Sequence, residues 1–269
     1  MKPYAPGQTK ITDPTPQVSG KRGEPQIQFR LGQAAALVIG MGGAGSTAAD
    51  NLVRSGVGHV HCVDRDVVEA SNLNRQGLYR DEDLGAFKVE VAVPRLRSHN
   101  PTIEVTGEVL DVDGPEVAHD LASRFDVVLL AADEPREIRM WINQASLATA
   151  TPWVHTGYDG PLISMGLYRP GAGPCFDCRA AEQRAYLARL PVRTEWPPAG
   201  RVPRVHAANA ISAGLAGNYA AHAAISLITG VPALKTNREY SLNLLTLESG
   251  DLTSLDSPSP RCPSCGPTP

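Results

Sequence analysis

Two groups of residues in this chain have types and spacings that could do chemistry. The first begins with Gly40-Met-Gly42-Gly43-Ala44-Gly45 and continues into Asp64-Arg-Asp66-Val-Val-Glu-Ala-Ser71-Asn72-Leu-Asn74-Arg75-Gln76. Clustered glycines let the backbone turn sharply and approach a phosphate, and a helix start behind them adds free N–H groups and a positive dipole end. Asp64 is placed to grip ribose hydroxyls. Loop and acid alone are the common signature of an NAD-dependent oxidoreductase, or simply of a tight strand–helix turn with no ligand. The polar run separates these readings. An NAD site does not need such a density of Ser, Asn, Arg and Gln, whereas ATP offers phosphate oxygens to an arginine fork and polar edges to Asn and Ser. Lys88, in Asp83-Leu-Gly85-Ala-Phe-Lys88, is the only lysine between Lys21 and Lys235. A point cation aimed at a triphosphate is a natural role for it; the bland alternative is a solvated helix lysine.

The second group is Cys175-Phe-Asp-Cys178 and Cys262-Pro-Ser-Cys265-Gly266. Four thiolates in two close pairs match tetrahedral zinc with Zn–S bonds of about 2.3 Å. The rivals are a redox dithiol and unrelated thiols. With four positions filled the metal would be structural, contributing on the order of 10–16 kcal/mol to folding. The chain has 5 cysteines, too few for a disulfide scaffold. The fifth, Cys62, sits in an apolar strand and reads as inert core.

The elements that must position these groups follow an α/β alternation. Strands are expected at 35–40, 59–64, 103–110 and 126–131, with a fifth starting at 152–155; helices are expected at 44–55, at 81–98 and after the fourth strand through 148. Pro94 should kink or end the second of these helices. Strands alternating with helices imply a Rossmann-like doubly wound, largely parallel sheet covered on both faces. The second half changes character: hairpin content at 158–169, a proline-rich exposed loop at 191–204, a helix at 207–229, a strand at 239–247 and a proline-rich end. Residues 1–25 read as a flexible tail, and 26–269 as one domain. With 269 residues, 42% of them hydrophobic, the core is ample. A net charge of −3 argues against a generic nucleic-acid surface. No segment reads as a signal peptide or membrane span, so a soluble cytoplasmic protein is expected.

The order GMGGAGS, DxD, SNLNRQ, DxGxxK and His99-Asn100-Pro101 resembles the adenylating domain of the ThiF/MoeB/HesA family, bacterial relatives of ubiquitin-activating enzymes. The resemblance spans roughly residues 31–266, and both cysteine pairs fall in family register. It implies that ATP reacts with the C-terminal carboxylate of a ubiquitin-like carrier protein or a peptide, giving an acyl-adenylate and pyrophosphate. It further implies that Gly40, Gly42, Gly43 and Gly45 cradle phosphates and that Asp64 holds the ribose. Asp66 and Gln76 belong to the same nucleotide site, and Asn72, Arg75 and Lys88 bind phosphates. Asp133, after the fourth strand, holds Mg²⁺ or positions the reacting groups; as a bland alternative it caps the next helix. Arg75, Lys88 and Asp133 are the catalytic candidates, Cys175, Cys178, Cys262 and Cys265 the Zn²⁺ ligands, and a homodimer the implied assembly.

The chain departs from the family pattern in three places. Asp133 is followed by Glu134-Pro135 instead of Asn, and Arg139 comes one residue late, with Asn143 after it. The family's N-terminal Arg-Tyr-x-Arg-Gln segment has no match; Arg30 and Arg22 stand nearest. The loop at 179–205, which carries a reactive cysteine in thiol-transferring members, contains none, so no cysteine thioester is expected. Besides the oxidoreductase, a non-catalytic scaffold of the same fold is the remaining alternative.

Overall fold

The computed structural model describes residues 24–187, 208–251, 255–260 and 262–266. Its centre is an eight-stranded sheet in the order β3-β2-β1-β4-β5-β6-β7-β8. The strands are β1 (Ala35–Ile39), β2 (His59–Asp64), β3 (Glu104–Val109), β4 (Val127–Leu130), β5 (Trp153–Asp159), β6 (Leu162–Tyr168), β7 (Arg238–Asn243) and β8 (Glu248–Asp251). The first five pair in parallel, and β6 to β8 are added antiparallel. This is the doubly wound, largely parallel sheet expected from the alternation, and the hairpin content of the second half becomes its antiparallel extension. β1 and β4 are almost wholly buried, as strands covered on both faces must be.

The helices are α1 (Glu24–Gln33), α2 (Gly43–Arg54), α3 (Lys88–His99), α4 (Pro115–Ser123), α5 (Ile138–Thr149), α6 (Phe176–Leu187) and α7 (Ala210–Thr229). One face of the sheet packs on α2, α3 and α7 through Val38, Leu52, Val60, Leu96 and Ala220. The other packs on α4 and α5 through Leu37, Leu121, Val128, Ile142 and Trp153. The helix expected at 207–229 is α7, which starts three residues later at Ala210. It starts on an Asn209 cap whose side chain accepts from the Ile211 and Ser212 N–H groups, and it ends on Gly230 at φ 76°. Its small residues allow close approach: a methyl placed on Gly217 would collide with the Ala44 carbonyl and Thr47 of α2. No helix among the described residues is long and apolar enough to cross a membrane.

Several expectations need correction. The helix expected over 81–98 is two elements, a 3-10 turn at Asp81–Asp83 and α3 from Lys88. Between them Gly85, at φ 85°, turns the chain back. Pro94 neither ends nor breaks α3, which runs on to His99. α1 starts at Glu24, two residues inside the expected tail; the rest of that tail, residues 1–23, lies outside the described residues. The strand expected at 239–247 stops at Asn243, where a turn feeds β8. The first nine residues of the expected loop at 179–205 belong to α6, and the proline-rich stretch 191–204 lies outside the described residues.

Candidate nucleotide site and cysteine centre

The strand order reverses between β1 and β4, and sheets of this order take ligands in the crevice beyond the carboxyl ends of the strands at that switch point. The glycine loop and Asp133 both lie at this switch point. Gly40 adopts φ 90°, and its Cα faces the backbone of Ala131 and Ala132 so closely that no side chain fits. A methyl on Gly45 would overlap the Gly40 carbonyl oxygen. The two glycines therefore let strand, turn and helix close on one another. Gly42 caps α2 without any side-chain hydrogen bond, so the first-turn N–H groups of α2 present their dipole end to the crevice.

Asp64 ends β2 beside this loop. Its Oδ2 accepts the Met41 N–H at 2.5 Å and its Oδ1 accepts the Asp66 N–H at 2.7 Å. Burial raises the Asp64 carboxyl above its ordinary value, against the pull of those two N–H groups and of Lys88. The carboxylate thus pins the glycine loop, and Tyr79 assists by donating its hydroxyl to the Met41 carbonyl at 2.7 Å. Tyr79 was not singled out in the sequence, where nothing but its place after the polar run distinguishes it.

Lys88 is the first residue of α3 and is 5% exposed. Its Nζ pairs with Asp66 Oδ2 at 2.8 Å, and its N–H bonds the Asp66 carbonyl at 2.9 Å. The solvated-lysine reading is therefore excluded: the only lysine of the mid-chain is held inside the site. Asn72 is largely committed to its own turn, with Oδ1 accepting the Glu69 N–H at 3.1 Å. Arg75 folds back through Nη1 onto the Ser71 carbonyl at 2.8 Å and Asn74 Oδ1 at 2.9 Å, and its carbonyl lies against Gly43. Gln76 is 3% exposed; its Nε2 would lie 3.7 Å from a methyl on Gly42, and its Oε1 has no hydrogen-bond partner among the described residues. A buried acceptor left open beside a glycine cradle fits a bound polar ligand.

Asp133 is exposed past the end of β4. It does not cap α5, whose N-cap is Glu137. Glu134 faces Arg65, 3.9 Å away, and Arg65 also pairs with Asp111 at 2.7 Å. Arg139 reaches toward β5, with Nη2 3.9 Å from where a Gly157 methyl would sit. Arg30 donates to the Thr229 carbonyl at 2.8 Å and so ties α1 to the end of α7. Arg22 lies outside the described residues.

The four cysteines converge although their pairs are far apart in sequence. Their sulfurs all lie within 4.8 Å of one another. Cys175–Cys178 is 3.9 Å, Cys175–Cys262 3.5 Å and Cys178–Cys265 3.4 Å. Zn–S bonds of about 2.3 Å give a tetrahedral S···S edge of roughly 3.8 Å, so the donor set and spacing fit one zinc ion. Around it Asn143 accepts the Phe176 N–H at 3.1 Å and donates to Asp177 at 3.2 Å, and Asp177 also receives the Ser264 hydroxyl. Such second contacts orient a ligand set. Asn143, noted in the sequence for a different reason, thus belongs to this centre. Cys62 is fully buried away from it, and burial pushes its thiol up to about 12.

The doubly wound sheet with a glycine loop at its switch point is the architecture of a nucleotide-binding α/β domain, here with an appended four-thiol centre. The ThiF family pattern matches residues 15–265, and the chain belongs to the ThiF family. It is 31% identical over 249 residues to the sulfur carrier protein ThiS adenylyltransferase of Bacillus subtilis, covering 90% of this chain and 68% of that one. It is 31% identical over 254 residues to the sulfur carrier protein adenylyltransferase of Thermus thermophilus, covering 91% and 87%. Among solved structures, that of E. coli MccB with ATP superimposes with a TM-score of 0.74 at 25% identity, covering 89% of this chain and 68% of that one.

Proposed function

We infer that this chain is an ATP-dependent adenylyltransferase acting on the C-terminal carboxylate of a carrier protein or peptide. The observation that carries this reading is the switch point, where the glycine loop, the buried Lys88 held by Asp66 and the open Gln76 acceptor come together in a ThiF-family chain. The relatives named above as adenylyltransferases and the MccB structure with ATP support it.

In this reading a carboxylate oxygen attacks the α-phosphorus of ATP. The bond to the β-phosphate breaks and pyrophosphate leaves, so the protein's task is to position groups and offset growing negative charge. The start of α2 and the glycine loop seat the phosphates, and Asp64 and Gln76 face the ribose side. Lys88, already held by Asp66, is a preorganised cation for pyrophosphate, and Arg75 and Asn72 line the same rim. Asp133 offers a carboxylate to Mg²⁺, which would neutralise phosphate charge there. The four thiolates hold Zn²⁺ as a structural ion. The buried, protonated Cys62 forms no thioester, so the reaction stops at the acyl-adenylate. The working assembly is a homodimer in the cytoplasm.

The test is ATP–pyrophosphate exchange with synthetic peptides ending in Gly-Gly and with full-length small carrier proteins. Exchange that depends on added carboxylate and is lost in Lys88→Ala supports the assignment. Reduction of a nicotinamide cofactor without pyrophosphate release supports the oxidoreductase, and tight ATP binding without exchange across all carboxylates supports the scaffold.

A further inference from the structure

Tyr158 belongs to none of the motifs above, yet its hydroxyl meets the glycine loop. It lies near the end of β5, on the face toward α2 and α7, and its half-buried ring packs against Ala44, Ile163 and Ala216. A methyl placed on Gly43, the first residue of α2, would sit 3.1 Å from the Tyr158 hydroxyl and 3.2 Å from the Arg75 carbonyl. No hydrogen bond to that hydroxyl is found among the described residues. A tyrosine hydroxyl at the edge of a core usually finds a partner.

A second side chain approaches the neighbouring Gly42 and is buried more deeply than Tyr158. Gln76, 3% exposed, approaches Gly42 and keeps its Oε1 open. Two polar groups carried by separate elements, the β5 strand and the loop after β2, thus approach consecutive glycines: the Gln76 oxygen accepts, as from a ribose hydroxyl, and the Tyr158 hydroxyl is free to donate. The backbone between them is the uncapped start of α2, where an anion is favoured.

We propose that Tyr158 donates its hydroxyl proton in a hydrogen bond to an oxygen of the nucleotide phosphate seated at the start of α2. The proposal rests on the adenylation reading and adds a phosphate contact from β5, the strand on which the antiparallel strands are added. β5 and β6 pair through Tyr158↔Ile163 and run into the part of the molecule that leads to the cysteine centre. A neutral donor there ties the phosphate to the strand without adding charge, and it is aimed by ring packing instead of by a flexible chain.

The experiment compares Tyr158→Phe with wild type by calorimetric titration of Mg-ATP and, separately, of adenosine. Phenylalanine keeps the ring contacts and removes only the hydroxyl. A lost hydrogen bond to a charged group weakens ATP by about 10-fold or more while adenosine affinity and thermal midpoint stay unchanged. Equal affinities for ATP in the two proteins, or an equal loss for ATP and adenosine, overturns the proposal. If wild type binds ATP but gives no exchange with any carboxylate, the adenylation reading fails while the phosphate contact stands on the ATP titration. If wild type binds no ATP, both fail.

Discussion

Removal of the metal from the cysteine centre has consequences that follow from what else holds the C-terminal segment. Among the described residues, 255–260 and 262–266 meet the body at a short set of contacts, one of them the Ser264 hydroxyl donating to Asp177. Leu255 packs beside Leu147 and the cysteines, the Ser259 N–H points to Cys178 Sγ at 3.4 Å, and Asp256 pairs with Arg238 at 2.6 Å. Asp256 is 82% exposed in that pair, which therefore contributes at most about 1 kcal/mol. The zinc, at roughly 10–16 kcal/mol of binding energy, exceeds everything else that ties the segment down. The segment can detach alone, so the body loses only the cover over Leu147, Cys175 and Cys178, about 1 kcal/mol each and roughly 3 kcal/mol together. For a domain of this size that is a fall in thermal midpoint of about 6–12 °C. The assay is metal analysis, expected to find one zinc per chain, followed by chelator treatment, thermal melting and limited proteolysis. Cleavage should begin near residue 255 only after chelation, and Cys262→Ser should reproduce it in untreated protein. Metal-free protein with the same midpoint and a protected C-terminus would refute the reasoning.

Gly45→Ala forces a methyl into the Gly40 carbonyl and should destabilise the domain by about 1–3 kcal/mol or more, whereas Gly77→Ala, with open space around it, should leave denaturant unfolding unchanged. Lys88→Ala should reduce exchange by at least ~100-fold, and because its partner Asp66 is 55% exposed that carboxylate can resolvate, so circular dichroism should report an intact fold. Cys62 should stay unmodified by iodoacetamide at pH 8 in the native protein, since its thiol is pushed up to about 12; in chelated protein the four other cysteines react and Cys62 waits for unfolding, as mass spectrometry can count. Glu239 provides a pH test. Burial works to raise its carboxyl, but the His155 ring at 2.7 Å and a hydrogen bond from Tyr168 hold it below its ordinary value. A depressed carboxyl contributes stability that is complete above the unfolded value of about 4.3 and disappears as pH falls through the lower folded value. The stability gap between wild type and Glu239→Gln should therefore be full above about pH 4.3 and shrink only as acid carries the pH below that value, in urea titrations.

Much of the chemistry was legible before the fold because local residue types carry it. The glycine spacing, the acid ending the second strand and the run through Gln76 announce a nucleotide site on their own, since each residue acts close to where it stands in the chain. Buried parallel strands are equally readable: four or five consecutive apolar residues are explained only by cover on both faces. Boundaries in the stretch from 81 to 99 were not, because Gly85 and the backbone bonds that clamp Lys88 to Asp66 are long-range facts. They override a helical pattern that looks continuous.

The sequence by itself determined the fold class, the nucleotide loop and the two cysteine pairs, all of which depend on residue type at short spacing. Only the tertiary structure decided how those pieces meet. It turned two distant CxxC pairs into one centre with sulfurs 3.4–3.9 Å apart, and it made an isolated lysine a buried cation through a carboxylate that precedes it on another segment. It also spent Arg30 on the end of α7 and brought Tyr158 of β5 to the first residue of α2. These are contacts between elements, set by sheet order and helix packing, and no local pattern of residues encodes them.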